Sequence, residues 1–152
     1  MKIETAKEVY KLCAPWYKTV LEDEFGKGNL INRDFSEIQT IEVALETTGY
    51  DASYLNTRDG ETIDEWAYRI LKMVTKAING EWTADWSNTN QPKWYNYFRV
   101  LPSGAGFSLS RTDYSYGGTD VGSRLCFESQ KKAEQAAKYF EDLYIKYLLI
   151  TK

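Results

Sequence analysis

A chain of 152 residues has the length of one domain. With 43% apolar and 27% charged residues it can bury a core without a metal or a disulfide. A net charge of −3 argues against a dedicated duplex-DNA binder, and the absence of histidine excludes Ser-His-Asp and Cys-His nucleophiles and histidine-ligated zinc, haem or non-haem iron.

The N-terminal half is read as helices. Thr5 to Glu8 has a capping-box pattern, and Val9, Leu12, Cys13, Trp16, Tyr17, Val20 and Leu21 recur on one apolar helical face. Pro15 falls inside that face and must kink the helix or split it in two. Gly26 and Gly28 stop it. Asp34 with Glu37 opens a second helix carrying Ile38, Ile41, Ala44 and Leu45, and Gly49 ends it. Tyr50 to Glu61 is a polar loop. Its Asn56 to Gly60 run is not a calcium loop, because Leu55 and Trp66 stand where the first and last ligands would be. Thr62 and Glu65 cap a third helix, whose Ile63, Trp66, Ala67, Ile70, Leu71, Val74, Ala77 and Ile78 keep near-ideal spacing up to Asn79 and Gly80.

Glu81 to Phe127 differs in kind: it holds three of the five tryptophans, and glycine and serine divide it into short runs. Trp82 to Pro92 is rich in turn formers. Lys93 to Leu101 alternates, with Trp94, Asn96, Phe98 and Val100 on one side and Tyr95, Tyr97 and Arg99 on the other. Gly106 to Arg111 is a second strand with Phe107 and Leu109 inward. Asp113 to Asp120 is a connection, and Val121 to Phe127 a third strand with Leu125 and Phe127 inward. Ser129 caps a last helix with a wide apolar stripe from Ala133 to Leu148. The expected fold is a single α+β domain over 1–152: helices to about residue 80, then a three-stranded antiparallel β-meander with the C-terminal helix packed across it.

Asn90 to Tyr95 (NQPKWY), Tyr97 and Phe98, Gly106 to Ser108, Val121 to Phe127 (VGSRLCF), and the following Ser129, Ala133, Ala137, Phe140 and Tyr144 are similar to a group of small proteins encoded by phages and prophages of gut Bacteroidetes. The resemblance covers about Trp86 to Leu148 and rests on packing and turn residues. It implies an origin in a phage or integrated element and brings no catalytic motif with it.

Four constellations merit weighing. Tyr95, Tyr97 and Arg99, extended by Arg124, could stack bases on an open sheet face; helices covering that face would make them ordinary packing. Trp82 and Trp86, beside Asp85 and Asn88 to Asn90, could hold a sugar ring or simply pin a loop to the core. Tyr114 and Tyr116, set among serine and glycine, suit adaptable protein contact, or a plain connection. The carboxylates Glu22, Asp23, Glu24, Asp64 and Glu65 are spread around helix surfaces or serve a helix dipole, and none forms an evident acid–base pair.

Cys13 and Cys126 lie far apart among apolar residues and read as free thiols. No apolar run reaches the length of a membrane span, and no basic-then-apolar leader is present, so the expected location is the cytoplasm of a bacterial host cell. No cofactor, metal or membrane is expected as a partner. The leading expectation is a non-catalytic accessory protein that binds a host or phage protein, marked by a contiguous exposed apolar patch. The alternatives are a single-stranded nucleic-acid binder and a histidine-independent enzyme.

Overall fold

The computed structural model describes residues 1–31, 33–101, 106–117 and 124–149. Helix α1 spans Ile3–Leu12 and α2 spans Pro15–Phe25. Pro15 therefore splits the first helical pattern: Ala14 is extended, and Pro15 takes the first helical position, where its missing N–H leaves no bond unmade. The capping box expected at Thr5 does not form; α1 already begins at Ile3, with Lys2 as an N-cap that makes no side-chain bond. Gly26 ends α2 at φ +80°, and one short turn, α3 (Lys27–Leu30), follows.

These three helices enclose a small cluster of their own. Ala6, Leu21 and Leu30 are buried, with Val9, Tyr10, Cys13, Tyr17 and Phe25 around them. The Tyr10 hydroxyl donates to Glu22 across the α1–α2 junction; burial, and then this bond, pushes the phenol up to about 12. The expected apolar face is thereby divided. Leu12, Trp16 and Val20, which periodicity assigns to the core, are 90%, 72% and 47% exposed.

Asp34 caps only a 3-10 turn over Phe35–Glu37, accepting from the Ser36 N–H at 2.9 Å. Helix α4 (Ile41–Thr48) begins later, at the Thr40 cap, and ends at Gly49 with φ +70°. Gly28 and Gly49 meet there backbone to backbone. A Cβ on Gly28 would lie 2.5 Å from the Thr48 carbonyl oxygen and 2.9 Å from the Gly49 nitrogen. This contact seats the N-terminal hairpin on the rest of the chain.

Helix α5 (Ile63–Asn79) follows its sequence pattern closely: the Thr62 N–H donates to Glu65 at 2.8 Å, and Gly80 terminates the helix at φ +65°. Its neighbours are α4 and two C-terminal helices, α6 (Gln130–Tyr139) and α7 (Glu141–Leu148). The single C-terminal helix read from the stripe is thus two helices, broken at Phe140, which is buried in non-helical geometry (φ −124°, ψ 26°). The main core is built from α5 residues such as Ile70, Val74 and Ile78 with Phe127, Ala133, Phe140 and Leu143.

Strands β1 (Lys93–Val100) and β2 (Phe107–Ser115) pair antiparallel. The class is α+β as expected, but the meander does not appear: among the described residues the sheet has two strands, and Phe127 reaches it through one bridge to Trp94. Residues 121–123 of the expected third strand lie outside the described residues. Tyr114, read as part of a connection, belongs to β2.

The β1–β2 register shifts between Tyr97 and Phe98, where Ser110 is the extra residue. The bulge reverses the parity of β2. Phe107 and Leu109 share the face of Phe98, whereas Arg111 and Asp113 face the same way as Tyr97 and Tyr95. Helix α6 packs on the Trp94, Asn96 and Phe98 face. There the buried Asn96 amide donates to the Ala133 carbonyl at 2.7 Å, and Phe98 meets Phe107 and, from α7, Tyr144.

The loop before α5 is held by Arg69. Its guanidinium donates to both oxygens of Glu61 at 2.7 Å, to the Asn56 carbonyl at 2.9 Å and to the Tyr54 carbonyl. Both side chains of the pair are buried from solvent. These bonds lower the Glu61 carboxyl to about 2.

Two outcomes follow from these contacts. Gly28→Ala should destabilise the protein by about 1–3 kcal/mol, since the atoms met are backbone and cannot yield. Amide exchange should accelerate first in α1–α3, while Gly117→Ala, which meets nothing within 4 Å, leaves both readings unchanged. The Glu61 carboxyl has a folded pKa below its ordinary 4.5, so its contribution is complete above about pH 4.5 and is lost as pH falls toward 2. The urea midpoint of the wild type should therefore exceed that of Glu61→Gln by a constant margin at neutral pH, and the margin should shrink through that acidic window.

Candidate functional site

The sequence-selected residues fall into three places. Tyr95, Tyr97 and Arg99 lie together on the sheet face away from α6, the two tyrosine rings 5.2 Å apart and half-buried, Arg99 exposed. Arg111 joins them: its guanidinium lies 4.4 Å from the centre of the Tyr97 ring and pairs with Asp113 at 3.5 Å. Strict alternation conceals Arg111, because only the bulge at Ser110 turns it to this side. Arg124 is not part of this face.

Tyr114 and Tyr116 are exposed and touch edge to face at 5.4 Å. Tyr114 also packs on Trp94 at 4.8 Å and pairs with it across the strands. These tyrosines therefore extend the opposite face of the sheet from Tyr95 and Tyr97.

Trp82, Trp86 and Arg124 come together at a third place, an open cleft of about 550 Å³ beside the C-terminal half of α5. Lys72, Thr75, Lys76 and Asn79 form its α5 side, and Trp82, Trp86, Arg124 and Cys126 the opposite side. The tryptophan segment is shaped by its own polar residues. Asp85 accepts from the Ser87 N–H at 2.9 Å and hydroxyl at 2.6 Å, which holds its carboxyl below the ordinary range, and the Asn88 side chain accepts from the Asn90 N–H.

A buried lysine fixes the segment to the sheet. Lys93, fully excluded from solvent, donates to the carbonyls of Asn88 at 2.9 Å and Tyr116 at 3.1 Å, with its ammonium 5.3 Å from the Trp86 ring centre. Asn79 closes the base of the cleft. It donates to the Cys126 carbonyl at 2.9 Å and accepts from the Glu128 N–H at 3.2 Å. Burial pushes the Cys126 thiol up, away from the reactive thiolate.

Lys72 and Lys76 escape a sequence reading because α5 is so strongly patterned that its residues read as core or plain wet face. Lys76 donates to the Tyr50 hydroxyl at 3.2 Å and lies 4.7 Å from its ring, and Lys72 lies 4.9 Å from the Tyr68 ring. Neither they nor Arg124 has a carboxylate within ion-pair distance among the described residues.

The described residues contain no group of three or more histidine, cysteine or acidic side chains placed to hold a metal ion, and no helix among them is long and apolar enough to cross a membrane. Comparison with protein-family models, with curated proteins and with solved structures finds no match to this chain.

Thr75 is the one buried side-chain polar group without a hydrogen-bond partner among the described residues. A buried unpaired hydroxyl costs about 1–3 kcal/mol. Thr75→Val keeps the shape and removes the unpaired atom, so it should raise the urea midpoint, by an amount worth about 1 kcal/mol.

Proposed function

We propose that this protein is a non-catalytic binding module that engages a partner protein through the exposed apolar side chains of its N-terminal helices, Trp16 above all. The observation that carries the reading is the exposure of Trp16, 72%, with Leu12 and Val20 exposed beside it in the chain. Leu12 closes α1, and Trp16 and Val20 lie in α2; exposed large apolar side chains close together in the chain mark interaction sites, and tryptophan is prominent among interface anchors. Helix α2 sets one lysine, Lys18, against Glu22, Asp23 and Glu24. A fitting partner therefore presents an apolar groove with a basic rim.

An origin in a phage or prophage, which the sequence resemblance over Trp86 to Leu148 implies, would make that partner a host or phage protein in a bacterial cytoplasm. The sheet-face reading for single-stranded nucleic acid has less support. Arg111 is shared between the Tyr97 ring and Asp113, so one of the two arginines of that face is already paired.

The test is quantitative capture from host-cell lysate followed by direct affinity measurement on the captured protein. Trp16→Asp should keep the circular dichroism of the wild type, as expected for an exposed position. It should lower the affinity by about tenfold or more, an effect of interface-anchor size. Tyr97→Ala should not. Equal affinity of Trp16→Asp and wild type overturns the proposal. So does sedimentation in which the wild type alone dimerises through Trp16, since the partner would then be a second copy.

A further inference from the structure

We propose a second, separate site: the cleft between α5 and the Trp82–Trp86 segment binds a nucleoside monophosphate, either free or at the end of a single strand. Charge comes first. Lys72, Lys76 and Arg124 line the cleft, and no described carboxylate does. In a chain of net charge −3, three cationic residues that line one cavity and have no ion-pair partner among the described residues create a local positive potential against the overall sign. An anion is the ligand class such a potential selects.

The walls narrow the class. Trp82 and Trp86 are half-buried and line the cleft. Flat rings beside cations favour a flat anionic ligand, with a base stacking on the aromatic side and a phosphate on the lysine and arginine side. A neutral sugar fits less well. The acid that such a site would use, Asp85, does not line the cleft and is engaged by Ser87. The buried Thr75 hydroxyl is an independent sign, since it has no hydrogen-bond partner among the described residues and Thr75 lines this cleft. A volume of about 550 Å³ suits a small-molecule ligand.

The full-length protein is titrated with each of the four ribonucleoside monophosphates, with adenosine, with inorganic phosphate and with a 5′-phosphorylated tetranucleotide, by calorimetry and tryptophan fluorescence. The nucleotides should bind saturably, with adenosine and phosphate each weaker by about tenfold or more. Arg124→Ala and Lys72→Ala, both solvent-side changes that keep the fold, should each weaken nucleotide binding by about threefold to tenfold. Trp82→Ala should weaken it by about fivefold or more, and Trp16→Asp should leave it unchanged. Much tighter binding of the tetranucleotide assigns the strand end as the source; equal affinity assigns the free nucleotide. Absence of saturable binding at millimolar nucleotide overturns the proposal. So does affinity indifferent to both Arg124→Ala and Lys72→Ala, or phosphate binding as tightly as nucleotide.

Discussion

Ten of the seventeen residues of α5 are buried, and among them are three polar side chains, Arg69, Thr75 and Asn79. That constraint organises the molecule. An arginine taken from water must find a carboxylate and carbonyls, and an asparagine must satisfy both ends of its amide. Arg69 therefore fixes the Tyr54–Glu61 loop against the first half of the helix, and Asn79 fixes the Cys126–Glu128 segment against its end. Thr75, between them, has no hydrogen-bond partner among the described residues, and it lines the cleft. Asn79 and Cys126, joined by their hydrogen bond, both line the cleft, and Lys72 and Lys76 of the same helix bring it positive charge.

Legibility from sequence follows how local the determining interaction is. Helix α5 is legible because its cap, its apolar period and its stop lie within one stretch of chain. The break at Phe140 is not legible, since no glycine or proline marks it; burial of the ring fixes that geometry, and burial is a tertiary fact. Leu12, Trp16 and Val20 mislead for a related reason. Their spacing implies one face only if the helix axis is continuous, and the extended Ala14 ends that continuity. At the other end of the chain one extra residue, Ser110, moves Arg111 to the tyrosine face.

The aromatic segment was legible as the place to look, but not as a site. Tyr95, Tyr97, Trp82 and Trp86 stand out by composition, yet Lys72 and Lys76, which line the same cleft as the two tryptophans, belong to the helix just before them, where a strong apolar period makes lysines read as plain wet face. Lys93 shows the converse. Its sequence context is an ordinary strand, whereas its ammonium is buried and organises the tryptophan loop through two carbonyls.

The hairpin bearing Trp16 and the cleft are joined by slender connections. Lys7 of α1 pairs with Glu81, next to Trp82, at 3.4 Å, but Glu81 is almost wholly exposed and such a pair contributes little. The Gly28–Gly49 contact is different in kind, since neither backbone can approach the other if either position carries a side chain. Docking of the hairpin thus depends on shape rather than on charge. Salt should leave it in place while weakening any anion held by Lys72, Lys76 and Arg124, so ionic strength separates the behaviour of the two surfaces within one molecule.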